Sequence, residues 1–150
     1  MGKRIGIIGG SFDPIHLGHL IIAQDAREQF ALDRVLFVVA FQAPLKSRAS
    51  RASAQQRLAM TRLAIADDPG FEASDIEFRR GEISYSIDTA AELQRLNPRD
   101  ELFWILGADQ VRQLHDWRDI ARLADLVAFI AFRRPGSPLA LSPQLPANLR

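Results

Sequence analysis

Two histidines, His16 and His19, stand three residues apart inside the stretch GGSFDPIHLGHL, residues 9–20. Imidazoles at i and i+3 can lie on one side of a helix's first turn. There they sit beside unpaired backbone N–H groups and the positive end of the helix dipole, a natural site for an anion. Gly9 and Gly10 carry no side chain to keep a ligand off the backbone, Asp13-Pro14 makes a fixed turn, and Gly18 permits close approach. The chemistry open to such a set is phosphate handling, because both rings can donate hydrogen bonds to phosphate oxygens as charge grows in a transition state. The same residues admit a structural reading, in which His-x-x-His opens an amphipathic helix and Gly10 is a tight turn. A metal pair is a third reading, but no further His or acidic cluster at ligand spacing accompanies the two. The chain has no G-x-x-x-x-G-K-[ST] and no G-x-G-x-x-G, so neither a P-loop nor a dinucleotide fingerprint is present.

These residues need elements to position them. RIGIIGG reads as a buried strand that stops abruptly at its glycines. From Gly18 to Phe30 the apolar Ile22, Ala23, Ala26 and Phe30 repeat at helical spacing, with Gln24, Asp25, Arg27 and Glu28 facing away. VLFVVA is a second buried strand, and FQAPLKSRASRAS a long loop with three cations. Ser53 with Gln56 makes a capping box for a helix through about Ala66. FEASDIEF alternates like a strand with one exposed face. Ser86 can cap a helix through Leu96, which Asn97-Pro98 ends. ELFWILG is a strand that makes Trp104 core, ADQVRQL and DWRDIARLA are short helices, and LVAFIAF is the last strand. Strands alternating with helices imply an α/β fold, a doubly wound parallel sheet flanked by helices. In such sheets ligands bind beyond the carboxyl ends of the strands, where the strand order reverses. The glycine-histidine stretch follows the first strand.

Bulk composition narrows the classes. The chain has 150 residues, 47% hydrophobic and 25% charged, which suits one globular domain. Its formal net charge of +1 gives no reason to expect a nucleic-acid or membrane surface. Without cysteine it has neither disulfides nor a thiolate nucleophile. No apolar run approaches the length of a membrane span, and no signal-peptide pattern opens the chain, so a cytoplasmic location is expected. There is no internal repeat. After Arg133-Arg134-Pro135-Gly136 the segment SPLALSPQLPANLR has three prolines, little periodicity and no obvious partner for its leucines. Residues 1–136 are read as the domain and 137–150 as an irregular tail.

The joint pattern of strand, Gly-Gly-Ser-Phe-Asp-Pro and His-x-Gly-His resembles the signature of the nucleotidylyltransferase superfamily, with its Rossmann-like fold and (T/H)-x-G-H motif. EFRRGEISYSIDTAAEL, FWILGADQVRQLHDW and FRRPG resemble, in order, segments of bacterial nicotinate mononucleotide adenylyltransferases. That resemblance implies attack by the phosphate of nicotinate mononucleotide on the α-phosphorus of ATP, giving pyrophosphate and deamido-NAD. The substrate brings its own nucleophile, so the protein aligns two nucleotides and stabilises charge. By motif, His16 and His19 contact the ATP phosphates, with Lys46 a third cation on a closing loop, equally readable as a solvated loop lysine. Arg48 and Arg51 read as surface charges.

The resemblance also implies that Gly9, Gly10, Ser11 and Phe12 form the turn against the nucleotide. Gly107 and Asp109 lie on the adenosine side, where Asp109 is expected both to bind ribose hydroxyls and to cap the next helix. Trp117 would stack on the nicotinate ring, and Thr89 would help read its carboxylate. Tyr85 and Ser84 match the motif, though packing and capping also explain them. Mg²⁺ is expected with ATP, held mostly by phosphates and water. Family members continue past Arg-Pro-Gly to Ile-Ser-Ser-Thr-x-x-Arg. SPLALSPQLPANLR differs from it, which implies reduced turnover or, as the alternative, a non-catalytic nucleotide-binding or sensing module. An acceptor such as phosphopantetheine or glycerol phosphate is disfavoured by Trp117 and ISYSIDT.

Overall fold

The computed structural model describes residues 2–42, 51–81, 83–133, 135–136 and 141–146. Five parallel strands, β1 (Arg4–Gly10), β2 (Arg34–Val39), β3 (Phe71–Ser74), β4 (Glu101–Gly107) and β5 (Val127–Phe132), lie in the order β3-β2-β1-β4-β5. The helices are α1 (Leu17–Gln29), α2 (Ala54–Ile65), α3 (Ser86–Leu96), α4 (Ala108–Gln113) and α5 (Ile120–Leu126). This is the doubly wound parallel sheet expected from the alternation of elements, with its order reversing between β1 and β4.

Pleating explains the continuous apolar strands. Val35, Phe37 and Val39 pack in one cluster with Ala23 and Ala26 of α1 and Leu58 and Ile65 of α2. The alternate residues Leu36 and Val38 pack in the other, with Ile87, Ala90 and Leu93 of α3 and Leu123 of α5. Both sheet faces are covered over the middle of the strands, and the charged strand residues Arg4, Arg34, Glu72 and Glu101 lie at exposed or half-exposed positions.

The amino end of β1 is tied on both sides. The Arg4 amide donates to Asp33 Oδ2 at 2.7 Å, just before β2, and the Lys3 amide donates to Asp100 Oδ1 at 2.9 Å, just before β4. The Arg4 guanidinium donates to the Phe30 carbonyl at 2.9 and 3.2 Å and lies 4.5 Å from the Phe103 ring centroid. At its carboxyl end β1 pairs with β2 through Gly10↔Val39, but with β4 only through Ile7↔Trp104. The strands therefore part where the order reverses, and a crevice opens between them.

Some local expectations change. The Ser53–Gln56 capping box forms at 2.9 and 3.1 Å. Ser86, however, is the first residue of α3 and not its cap; Tyr85 holds the cap position with no side-chain bond. The strand expected over FEASDIEF ends at Ser74, where the Ser74 hydroxyl accepts from the Ile76 amide at 3.3 Å and turns the chain. Phe30, expected on the buried stripe of α1, instead closes that helix and is 41% exposed.

The tail's leucines were expected to lack a partner. Leu145 is 1% exposed and belongs to the same cluster as Ile87, Trp104 and Leu123. Leu145→Ala is expected to lower stability by about 2–5 kcal/mol, the range for a buried leucine truncation, read from urea unfolding. A loose tail would show no change.

Candidate active site

The crevice between β1 and β4 holds a cavity of about 340 Å³. Its floor is Gly9 and Gly10 at the end of β1 with Ser11 just after them, and Ala40 just after β2. Its far wall is Tyr85, Trp104, Asp116 and Trp117. A Cβ on Gly9 would stand 3.3 Å from the Trp104 ring, so Gly9 keeps the floor low, whereas one on Gly10 would only meet Phe12 in ordinary contact at 3.4 Å. Phe12 adopts a left-handed backbone (φ 50°), a cost of about 1 kcal/mol for a non-glycine residue that its 3% exposed ring offsets by burial.

The histidines begin α1 immediately after this turn. The His16 Nδ1 accepts from the Gly18 amide at 3.1 Å, and the His19 Nδ1 accepts from the His16 amide at 3.1 Å. The motif is thus a reciprocal helix cap made of imidazoles, and the structural and functional readings of it are the same arrangement. Because each Nδ1 is an acceptor, the proton of each neutral ring sits on Nε2, leaving that N–H as a donor. The rings stack at 3.8 Å, and the edge of Phe12 meets His19 at 5.0 Å. Burial, and then the neighbouring His16, lower the His19 pKa to about 4. His19 is therefore neutral at physiological pH.

Trp117 follows a short 3-10 turn (Leu114–Asp116), is half-buried, and meets the Trp104 ring at 6.1 Å, with its ring among the cavity walls. Arg118 lies 4.5 Å from the Tyr85 ring centroid and also lines the cavity. Thr89 is fully buried; its hydroxyl donates to Glu77 Oε2 at 2.9 Å, and Arg80 Nη1 donates to it at 3.3 Å. The side chain facing the cavity here is Glu77, whose pKa is raised by burial and pulled back by the Thr89 hydroxyl and Arg80. Beside it Ser84, also on the wall, has a buried hydroxyl with no hydrogen-bond partner among the described residues.

The structure thus brings Gly9, Gly10, Ser11, Tyr85 and Trp117 to one cavity, with His16 and His19 on the helix that starts beyond its floor. It sets Thr89 behind Glu77. Gly107 is the cap residue of α4, so Asp109 lies inside that helix rather than capping it. There Asp109 pairs with Arg112, with 79% of its side chain exposed. Lys46 lies outside the described residues. Glu77 and the buried Arg57 of α2 were not singled out from sequence. Arg57 had a signal: it shares a helical stripe with Leu58, Thr61 and Ile65, all buried.

The lowered His19 pKa has a checkable sign. Above pH 6.5 the ring is neutral in both folded and unfolded chains; between 6.5 and about 4 the unfolded chain binds more protons, so stability falls as pH falls through that window. NMR titration of the His19 ring is expected to show a midpoint near 4, and a midpoint at the ordinary 6.5 would remove the burial argument.

A family model described as cytidylyltransferase-like matches residues 7–148. A protein named probable nicotinate-nucleotide adenylyltransferase from Opitutus terrae is 53% identical over 143 residues, covering 95% of this chain and 73% of that protein. One of the same name from Thermus thermophilus is 50% identical, covering 93% and 74%. The fold matches the Plasmodium falciparum nicotinic acid mononucleotide adenylyltransferase complexed with NaAD, at TM-score 0.77 and 22% identity, over 89% of this chain and 66% of that one. In the complex of the Plasmodium enzyme with APC the TM-score is 0.67 at 17% identity, over 91% and 77%. Half-identity across nearly all of its length, together with the match of the family model over residues 7–148, makes this chain a member of the cytidylyltransferase-like family, grouped with its nicotinate-nucleotide adenylyltransferases.

Proposed function

We infer that the chain transfers the adenylyl group of ATP to the phosphate of nicotinate mononucleotide, releasing pyrophosphate and forming deamido-NAD. The observation that carries this reading is the meeting, in one crevice, of a turn at Gly9-Gly10-Ser11 whose glycines hold no side chain over the backbone and an aromatic wall at Trp117 and Tyr85. Such a cavity suits a nucleotide that is anionic at one end and flat at the other. The names of the half-identical relatives favour the enzyme over a non-catalytic binding module. NaAD, bound by the Plasmodium enzyme of the same fold, is the product this reaction would give.

In this reading the histidine Nε2–H groups donate to the ATP phosphates, and the His19 hydrogen bond strengthens as negative charge builds on the oxygens of the transferring phosphoryl group, which stabilises the transition state. Gly107 and the exposed Asp109 would take the adenosine side, with the Asp109 carboxylate open to ribose hydroxyls. Trp117 stacks on the nicotinate ring. Thr89 acts through Glu77, holding it in place, and Lys46 supplies a further cation. A divalent cation accompanies ATP in such chemistry, and Mg²⁺ is the one proposed. It would polarise a phosphoryl oxygen, held by phosphates and water, and the exposed Asp116 carboxylate on the cavity wall could take one of those waters.

The test is dinucleotide formation from ATP and Mg²⁺ with nicotinate or nicotinamide mononucleotide under identical conditions. Deamido-NAD from the acid, and much less product from the amide, is expected; no product from either would overturn the assignment. His19→Ala is expected to lower turnover about a hundredfold or more. The lost cap bond should cost only about 1 kcal/mol of stability. Undiminished turnover in a folded variant would remove His19 from the chemistry. Trp117→Ala is expected to raise KM for the mononucleotide about tenfold while leaving KM for ATP within about twofold.

A further inference from the structure

The buried face of α2 carries a charge. Arg57 is 3% exposed; its Nη1 donates to the Ser11 carbonyl at 2.8 Å and to the Ala40 carbonyl at 2.6 Å, and its Nη2 donates to the Phe41 carbonyl at 3.2 Å. Its Nε reaches the Ala52 carbonyl at 3.4 Å. Among the described residues no carboxylate stands within ion-pair distance of it. Asp13 is felt from further off, while its oxygens accept from the Arg51 and Ala52 amides at 2.6 and 3.1 Å. Guanidinium stays protonated even so, and a buried charge that binds only neutral carbonyls keeps its field.

Two consequences follow from that geometry. A trans peptide is planar, with its C=O and N–H pointing opposite ways. Carbonyls of Ser11, Ala40 and Phe41 aimed at Arg57 therefore turn the amides of Phe12, Phe41 and Gln42 away from α2. Ser11 and Ala40 are themselves part of the cavity lining. In addition, holding two strand ends together requires donors but not a charge. A buried cation is costly, and its effect on a nearby anion is screened little by salt.

We propose that Arg57 is a positioning residue for the ATP triphosphate: it locks the carboxyl ends of β1 and β2 into one arrangement and sets a positive charge with no direct ion-pair partner behind the turn that receives the phosphates. The proposal rests on the adenylyltransferase reading and assigns Arg57 no contact with substrate.

The test compares binding of α,β-methylene-ATP and of adenosine to the unaltered protein, Arg57→Gln and Arg57→Lys by calorimetry, together with kcat and KM for ATP. Arg57→Gln is expected to weaken the analogue about tenfold or more and adenosine by no more than about twofold. Arg57→Lys, which keeps the charge but not the planar fork, is expected to keep more of the analogue affinity and still lose kcat. Equal losses for analogue and adenosine would reduce Arg57 to a fold-holding role and overturn the proposal, as would unchanged analogue binding in Arg57→Gln. Should Arg57→Gln fail to fold, Arg57→Lys decides. Unaltered kcat and KM for ATP would overturn the proposal, whereas a lowered kcat with unaltered adenosine affinity is the result expected. An unaltered protein that makes no dinucleotide and binds neither probe would instead overturn the adenylyltransferase reading, and this proposal with it.

Discussion

The site depends on an inequality between the two edges of β1. The strand satisfies its backbone against β2 through Gly10 but against β4 only through Ile7. Backbone polar groups left without a sheet partner must find water, a side chain or a ligand. Every other feature answers that opening. Trp104 forms the wall where pairing stops, Gly9 stays small beneath it, and α1 begins just beyond, after the turn that follows β1.

The histidine motif shows why a structural and a chemical explanation need not compete. Each ring uses one nitrogen on the backbone, and that fixes the protonation of the other. A serine or aspartate would cap the helix as well, but neither leaves a second polar atom on the far side of a rigid ring. The choice of histidine thus ties the orientation of the donor to the start of the helix itself, with stacking against the partner ring and the Phe12 edge restricting rotation further.

Much of this was legible because the physics is local. The alternating elements, the Ser53 cap and the buried Trp104 follow from periodicity and capping chemistry within a few residues. The glycine-histidine turn could be placed because it follows the first strand directly. What escaped depends on contacts across the fold. Glu77 reads as one polar residue in a polar stretch until Thr89, twelve positions on, is brought against it. Arg57 looks like a surface cation until three carbonyls from two strand ends converge on it. Asp109 was open to a capping role, but α4 begins at Ala108, as the segment ADQVRQL suggested, with Gly107 at the cap position. Leu145 sits among prolines that hide its place in the core.

The ties at the amino end of β1 bear on how such a protein can change. Asp33, Asp100 and the Arg4 guanidinium fasten the strand at the end opposite the crevice, through groups that no ligand need touch. Anchoring and recognition are thereby assigned to opposite poles of one seven-residue strand. Loops at the recognition pole can be exchanged without loosening the anchor, so a lineage that inherits this sheet can acquire a new acceptor by altering one rim of it. The sheet itself need not be rebuilt.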